Sequence, residues 1–455
     1  MANKTLLTTN AKLSSVEQLY YSPVAVVPPY LNIPLTSIYC FLSKVDPWDD
    51  EDNPPVPQED QRYLKQTFKN MFVAKKVTSN DISPVIPRVD WATSLVFDYY
   101  DDTVNMHGVD SNGFNLYRYY AKNKYDQIFK CLWNNNGAPS TVEPYFEPGT
   151  YGTNNIFRGS DGYKWKYMYT IDDNLKIKFL DSNWIPVPVG DNTPNPLNSD
   201  SGTGDIPVMN ITNVGSGYDP SNAAITVVVT GDGSGATGTV EVSNGTIVDI
   251  IVTNPGTNYT YANVAVVSAI GSNATVIAPV SPVSGHAYDP ISELGCTKAM
   301  ISIEFNSDEN GIIPTDIDYH QLGLIINPTT KQLSPNPANG QIYKTTTDTV
   351  VAAGVGVYVN DEVVYQGETL ETAYFTGRVL SFDSGTNTIK LINTEGTLAY
   401  NDSIHGSQSG AVRTLLTYSV PNFVALSGRM SFIENRTGIT RSVDGIEQFK
   451  IVLGY

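Results

Sequence analysis

The stretch Tyr-Lys-Trp-Lys-Tyr-Met-Tyr-Thr-Ile, residues 163–171, decides the fold class of this chain. Large apolar side chains occupy all of its odd positions, whereas Lys164, Lys166 and Thr170 interrupt them. Alternation with a period of two predicts a half-buried β-strand, because successive side chains of a strand point to opposite faces of the sheet. Trp165 lies at the centre of the apolar face, so we expect it in a β-domain core rather than on the surface as a sugar platform.

The sequence around this strand predicts more strands and few helices. From residue 114 to 171, aromatic-rich runs alternate with turn residues such as Asn134-Asn135-Asn136-Gly137, which is the pattern of an antiparallel sheet. The best helix candidate covers about residues 58–72. There Leu64 and Phe68 begin an apolar stripe with helical spacing, and Asp60 suits the positive N-terminal end of a helix.

Composition favours a large, mainly β protein. A chain of 455 residues exceeds what one hydrophobic core normally supports, so two to four domains are expected. The 28 tyrosines, together with frequent Thr, Asn and Val, favour strands and turns. We therefore predict an antiparallel β-sandwich or barrel core with a few short helices and two inserted small β domains.

Charge and hydropathy exclude several partners. A formal net charge of −18 argues against contact with nucleic acid, which requires clustered Lys and Arg. No apolar run approaches the roughly 20 residues of a membrane-spanning helix, and residues 1–10 lack the pattern of a signal peptide. We expect synthesis in a cytoplasm and no membrane insertion.

The three cysteines are far apart in the sequence. Cys40, Cys131 and Cys296 form neither a disulfide framework nor a Cys-x-x-Cys metal pair. We expect all three to be reduced and buried as small apolar residues.

A duplicated motif marks a first inserted module. Residues 211–218 read Ile-Thr-Asn-Val-Gly-Ser-Gly-Tyr, and residues 252–259 read Val-Thr-Asn-Pro-Gly-Thr-Asn-Tyr. A second matched element, Gly-Ser-Gly-Ala-Thr at 233–237 and Gly-Ser-Asn-Ala-Thr at 271–275, follows each copy. Two copies predict a small β unit repeated once, with the two repeats packed on each other. A Ser/Asn/Pro/Gly linker at 192–204 precedes the module.

A second interruption covers residues 334–417. Its predicted strands at 378–382 and 388–392 are joined by Asp383-Ser384-Gly385-Thr386-Asn387, which is a hairpin signal. A small barrel or sandwich is expected here.

Five short strings run in order through the rest of the chain. They are Phe-Leu-Ser-Lys-Val-Asp-Pro-Trp at 41–48, Val-Ile-Pro-Arg-Val-Asp-Trp at 85–91, the strand at 163–171, Gln-Leu-Gly-Leu-Ile-Ile-Asn-Pro at 321–328 and Ser-Gly-Arg-Met-Ser-Phe-Ile-Glu-Asn-Arg at 427–436. This series resembles the baseplate wedge protein family of T-even-type contractile-tailed phages, over somewhat more than half of the chain. The departures are the two insertions and the end of the chain, where Thr437-Gly438-Ile439 replaces the acidic, proline-containing tail expected for the family.

The resemblance implies a domain plan and a biological role. A wedge core would be split by the insertions, and the protein would be a virion structural component of the tail baseplate that forms a homodimer and contacts other wedge proteins. It would help to couple host attachment to sheath contraction without catalysis. The predicted segments are core at 1–204 with a middle β domain at about 92–190, the repeat module at 205–284, core at 285–333, the second insert at 334–417 and core at 418–455.

No pattern of residues predicts catalysis, a cofactor, a metal or a small-molecule substrate. The four histidines, His107, His286, His320 and His405, are isolated in the sequence, and the Gly-rich segment at 231–235 lacks the Lys of a phosphate loop. The acidic run at 49–52 lacks the spacing of a calcium loop, so we interpret it as a solvated surface loop. No residues could be assigned to a binding surface.

One alternative belongs to a different functional class. Tyrosine-rich β modules with Gly/Thr repeats also suit a host-recognition adhesin that binds carbohydrate by aromatic stacking. A wedge protein should copurify with baseplate proteins, whereas a fibre-type adhesin should be a trimeric, detachable spike.

Overall fold

The computed structural model describes residues 8–21, 36–110, 115–148, 155–189, 203–221, 224–330 and 336–455. The protein is mainly β, with 45% of residues in strands and 9% in helices. Several antiparallel sheets and a closed six-stranded barrel confirm the predicted fold class. Most of the predicted linker at 192–204 lies outside the described residues.

Helices are few and short among the described residues. They are α1 (Thr9–Tyr21), α2 (Gln61–Asn70), α3 (Asp173–Phe179), α4 (Pro290–Glu293) and a 3₁₀ turn (Ser79–Asp81). The predicted helix corresponds to α2, and the Asp60 side chain caps it by accepting from the backbone N–H groups of Arg62 and Tyr63. The predicted helix was too long at both ends. At its start Asp60 is the N-cap, and at its end Met71 and Phe72 begin a buried strand.

The strands follow in chain order. They are β1 (Ile38–Ser43), β2 (Met71–Val77), β3 (Ile82–Pro87), β4 (Tyr120–Lys122), β5 (Gln127–Asn134), β6 (Ile156–Arg158), β7 (Tyr163–Thr170), β8 (Trp184–Pro186), β9 (Asn210–Ser216), β10 (Ile225–Gly231), β11 (Thr237–Ser243), β12 (Thr246–Asn254), β13 (Ala262–Ser268), β14 (Ser272–Ile277), β15 (Lys298–Asn306), β16 (Ile317–Ile326), β17 (Thr329–Thr330), β18 (Asn336–Pro337), β19 (Ile342–Lys344), β20 (Thr347–Val351), β21 (Val363–Gln366), β22 (Phe375–Asp383), β23 (Thr388–Gly396), β24 (Ser403–Gly406), β25 (Val412–Ser419), β26 (Arg429–Arg441) and β27 (Ile446–Gly454).

The chain divides into two compact units. Unit 1 contains Met1–Gln18, Ser83–Met300 and Val452–Tyr455, and unit 2 contains Leu19–Ile82 and Ile301–Ile451. The five-segment domain plan inferred from the sequence stays a prediction.

The aromatic-rich sheet of unit 1 has the strand order β4-β5-β7-β6 and is antiparallel. Trp165 is fully buried, lying edge-to-face on Phe97 and stacked on Tyr163 with centroid distances of 5.0 and 5.6 Å. The half-buried prediction for β7 was wrong, because Lys164 and Lys166 are buried on its other face. Period-two alternation shows which residues share a face, but not what covers that face.

The repeat module is built from two exchanged halves. Strands β9 to β11 belong to the first copy and β12 to β14 to the second, yet β9 pairs with β14 and β11 pairs with β12. Across the copies, β10 pairs with β13. The two repeats therefore form one body with one shared hydrophobic core, as the duplication predicted.

Each repeat tyrosine packs on the glycine element of the other copy. A methyl group on Gly271 would come within 2.2 Å of the Tyr218 ring, and one on Gly233 within 2.4 Å of the Tyr259 ring. The fourth residue of each glycine element is an alanine whose backbone N–H donates to the same tyrosine. Ala274 donates to the Tyr218 hydroxyl at 3.3 Å, and Ala236 donates to the Tyr259 hydroxyl at 3.4 Å. Only glycine leaves room for such close ring contacts.

The ends of this module lie together and its side contacts the aromatic-rich sheet. Ser281 donates to Asp205 through both its backbone N–H, at 3.0 Å, and its hydroxyl. On the side of the module, Asp249 of β12 forms an ion pair with the buried Lys164 of β7 at 2.8 Å. A small apolar cluster of Leu132, Ile156 and Val208 adds to the contact.

Unit 2 contains a five-stranded sheet with the order β19-β2-β1-β16-β26. Strand β1 is buried along its whole length and is antiparallel to both β2 and β16. Tyr39, Phe41, Met71, Ile325 and Phe423 form the main cluster on this sheet.

A closed barrel with the order β20-β23-β22-β21-β24-β25 completes unit 2. Its interior is mainly aliphatic, with Val364, Leu391, Ile404 and Leu415 fully buried, and it also contains Tyr358 and Phe375. The predicted hairpin is present, since Asp383 of β22 pairs with Thr388 of β23 across the expected turn.

The three cysteines are free and buried, as predicted. Burial raises the pKa of the Cys40 thiol to about 12. Within the described part of the chain, no helix is long and apolar enough to cross a membrane.

Candidate functional site

Three of the five strings form neighbouring strands of the unit 2 sheet. Phe41 of β1 pairs with Gly323 of β16, and Gln321 of β16 pairs with Asn435 of β26. Segments that are far apart in the sequence are thus hydrogen-bonded neighbours in one sheet.

A polar network joins two of these strings to α2. The Gln321 amide donates to Tyr63 Oη at 3.0 Å and to Asn435 Oδ1 at 2.8 Å, and the Tyr63 hydroxyl donates to Asn435 Oδ1 at 3.0 Å. The Asn435 amide in turn donates to the carbonyl of Pro55 at 2.7 Å. Asn435 thereby fixes both the helix and the loop after β1.

The acidic loop at 49–52 is held by one of its carboxylates. Glu51 accepts hydrogen bonds from the backbone N–H groups of Trp48 at 2.7 Å and Gly438 at 3.0 Å, and it lies 3.1 Å from His320 Nε2. The bond from Gly438 is the main cause that lowers the pKa of Glu51. The departure at 437–439 therefore anchors this loop, with Thr437 donating to the Glu51 carbonyl at 2.7 Å.

A polar cleft of about 890 Å³ opens between this loop with α2 on one wall and barrel strands β21 to β23 on the other. The last four residues of the first string, Val45 to Trp48, line it. The side chains that define it chemically are Asp46, Trp48, Asp49, Asp50, Tyr63, Lys69, Asn70, Asp361, Arg378 and Glu395.

Ion pairs join the two walls of the cleft. Arg378 Nη1 lies 2.8 Å from Asp46 Oδ1, and its Nη2 lies 2.8 Å from Asp361 Oδ1. The buried Lys44 also pairs with Asp361, at 3.2 Å, and with Asp318. On the helix side, Lys69 pairs with Glu395 at 2.6 Å. These pairs attach the barrel to the first string and to α2.

Unit 1 holds a fully buried charged cluster that the sequence did not predict. Lys130 of β5 lies 2.7 Å from Glu293 of α4, and His286 Nδ1 lies 2.6 Å from the same carboxylate oxygen. The ammonium of Lys130 is also 3.7 Å from the ring centroid of Tyr100. A cavity of about 220 Å³, lined also by His107, lies beside the cluster.

The protonation states of this cluster follow from its burial. Burial, together with the adjacent Lys130 charge, lowers the pKa of His286 to about 4. Burial alone would raise the pKa of Glu293, but the charge of Lys130 and the hydrogen bonds from Lys130 and His286 lower it to about 2. The cluster is therefore an ion pair with a neutral histidine that donates to the carboxylate.

Two isolated histidines of the sequence thus meet at one carboxylate residue. His107 contacts the Glu293 carbonyl at 3.2 Å and His286 contacts its side chain, whereas His405 stacks on Tyr365. Lys130 lies more than 150 positions before His286 in the sequence, so no local motif reveals the cluster. Within the described ranges, no three His, Cys, Asp or Glu side chains are grouped as metal ligands.

The two remaining strings lie in unit 1. The carbonyl of Pro87 accepts from the Tyr120 hydroxyl at 2.7 Å, and the Trp91 backbone N–H donates to the Lys122 carbonyl at 2.8 Å. Trp91 also packs against the cluster that contains Trp165. Both strings thus take part in the packing of one β domain.

Comparison of the whole chain with protein-family models and with curated proteins gives no match.

Proposed function

We propose that this chain is a virion structural protein, a baseplate wedge subunit of a contractile phage tail. The observation that carries the proposal is that three strings of the family resemblance are adjacent strands, continuous with the loop that lines the unit 2 cleft. A rigid sheet beside an open polar cleft suits a protein that acts through contacts with other proteins.

The partners follow from the same resemblance. We propose a homodimer and contacts with other wedge proteins, in a baseplate that couples host attachment to sheath contraction. The net charge of −18 is consistent with protein partners rather than with DNA. The two β modules would add surface to this core.

The buried repeat tyrosines make the carbohydrate-binding alternative the weaker proposal. Tyr218 and Tyr259 are 3% and 5% exposed, so neither ring face is open to a sugar. Stacking recognition requires an accessible aromatic face.

Purified tails of the phage that encodes the chain test the proposal. Mass spectrometry should detect the protein in isolated baseplates in a fixed ratio to the other wedge proteins. Its presence in infected cells but absence from intact particles would contradict the proposal. A detachable trimer at a fibre tip would favour the adhesin.

The free dimer has its own test. Light scattering at micromolar concentration should give twice the mass of the chain. A monomer at that concentration would remove the free dimer and would leave the place in the baseplate to the first experiment.

A further inference from the structure

The cations that line the unit 2 cleft are already paired. Arg378 directs two of its nitrogens to Asp46 and Asp361, and Lys69 is bonded to Glu395. Five carboxylates line the cleft against these two cations. An anionic ligand would therefore have to displace existing ion pairs and would meet surplus negative charge.

The charged groups of the cleft that remain without an ion-pair partner are carboxylates. Asp49 and Asp50 are exposed, and neither has an ion-pair partner among the described residues. Asn70 also lines the cleft, but its Oδ1 is fully buried and is not open to a ligand. The exposed carboxylates of Asp49 and Asp50 are therefore the charged acceptors that a ligand can reach.

The aromatic groups of the cleft have their polar atoms engaged elsewhere. Trp48 Nε1 donates to the Arg436 carbonyl at 2.8 Å, and the Tyr63 hydroxyl is bonded to Asn435. Their ring surfaces are what they can offer to a ligand. An indole face beside carboxylates is a favourable environment for a guanidinium or ammonium group.

We propose that this cleft docks a basic segment of a partner protein, with a Lys or Arg side chain against Trp48 and between Asp49 and Asp50. Charge complementarity selects this occupant, because the cleft combines carboxylates that have no ion-pair partner and an aromatic face with cations that are already paired. The volume of about 890 Å³ holds a short peptide rather than a single side chain.

The inference rests on the proposed function for the kind of partner, a neighbouring wedge protein, but its test does not. Peptide binding to the isolated chain tests the cleft alone, and detection in purified tails tests the function alone. Failure of one is therefore distinguishable from failure of the other.

The probe is a short fluorescein-labelled peptide with alternating Arg and Gly, titrated with the full chain and followed by fluorescence anisotropy. The double substitution Asp49→Asn with Asp50→Asn removes the unpaired carboxylates. Glu368→Gln with Glu371→Gln is the matched control, because both glutamates are exposed residues of unit 2 outside the cleft and the change in net charge is the same.

The cleft variant should raise Kd about fivefold, and the control less than about twofold. Trp48→Leu should raise Kd about threefold by removing the indole face. A peptide with Gln in place of Arg should bind at least about tenfold more weakly than the Arg peptide. Thermal melting of each variant verifies that it is folded, and the two Asn substitutions decide the question if Trp48→Leu is not.

Three results would overturn the inference. Equal weakening by the two double variants would show a general effect of net charge, and equal affinity for the Gln peptide would show that no cation is recognised. Binding of a neutral oligosaccharide that is lost in Trp48→Leu, without binding of the Arg peptide, would instead assign the cleft to a sugar.

Discussion

At the scale of single residues, the most informative side chain is Trp165. It has no exposed surface and contacts Phe97 and Tyr163 in the core of the aromatic-rich sheet. Its indole N–H is buried without a hydrogen-bond partner in the described structure. Packing rather than hydrogen bonding therefore holds it in place.

Trp165→Ala should destabilise the protein by roughly 3–5 kcal/mol, because it leaves a cavity that the surrounding rings cannot fill. Trp165→Phe should cost less, since it keeps an aromatic ring and removes the unsatisfied N–H group. Denaturant unfolding measures both, with Tyr261→Ala as a control at a 56% exposed aromatic. An unchanged unfolding midpoint for Trp165→Ala would show that this side of the sheet faces solvent.

The buried cluster of Lys130, His286 and Glu293 should make unit 1 sensitive to acid. The pKa of His286 is about 4 in the folded protein against an ordinary value of 6.5, so the unfolded chain takes up this proton first as the pH falls. Stability present above pH 6.5 should be lost between 6.5 and 4. Glu293, with a pKa of about 2 against 4.5, extends the loss in the same direction.

His286→Gln tests the histidine part of this prediction, because glutamine can still donate to Glu293 but does not titrate. The wild-type protein should lose roughly 2–3 kcal/mol between neutral pH and pH 4 through this group, and the variant should not. His405→Gln is the matched control. The measurement is the unfolding free energy across this pH range. If it depends on pH in the same way in the wild type and in His286→Gln, His286 is not the group responsible.

At the scale of elements, the exchanged tyrosine and glycine contacts define the repeat module. Gly271→Ala should cost roughly 1–3 kcal/mol, because the added methyl group meets the buried Tyr218 ring. Gly233→Ala should cost a similar amount, since it meets the Tyr259 ring in the equivalent place.

Thermal melting of the full chain measures both effects, and Gly385→Ala in the exposed hairpin turn is the control. There the nearest atom to an added methyl group is a carboxylate oxygen 3.2 Å away. Loss of stability in one of the two module variants but not the other would show that the copies are not equivalent.

Local sequence patterns predicted the elements better than the contacts between them. The hairpin at 383–388, the Asp60 cap of α2 and the duplicated module all carry short-range signals, such as turn residues or a repeat. The burial of Lys164 carries no short-range signal, because its ion-pair partner Asp249 is 85 positions away in the sequence. The cleft was missed for the same reason: the first string supplies one wall, but the barrel residues that complete it have no motif.

At the scale of the whole molecule, the module at 205–281 can be removed without breaking the path of the chain. Asp205 and Ser281 are hydrogen-bonded, so a short Gly/Ser linker can join the flanking residues. The remainder should fold cooperatively but with roughly 2–4 kcal/mol less stability. The remainder should lose this stability because Leu132 and Ile156 become exposed and Lys164 loses its ion pair with Asp249.

Gel filtration and calorimetry of the deletion variant measure this outcome. A soluble monodisperse protein with a lowered but single transition is expected. Aggregation, or a melt without cooperativity, would show that the module is part of the folding unit rather than an addition to it.

The exchange of contacts within the module also determines what a single copy would lack. A polypeptide with a single copy would have a tyrosine without its glycine and a glycine without its tyrosine, and only a second molecule could supply both. The module therefore has the connectivity of two like units that complete each other and are joined through the turn at Asn244 and Gly245. Cleavage at that turn would leave two fragments that remain bound to each other through the tyrosine and glycine contacts and the strand pairs between them.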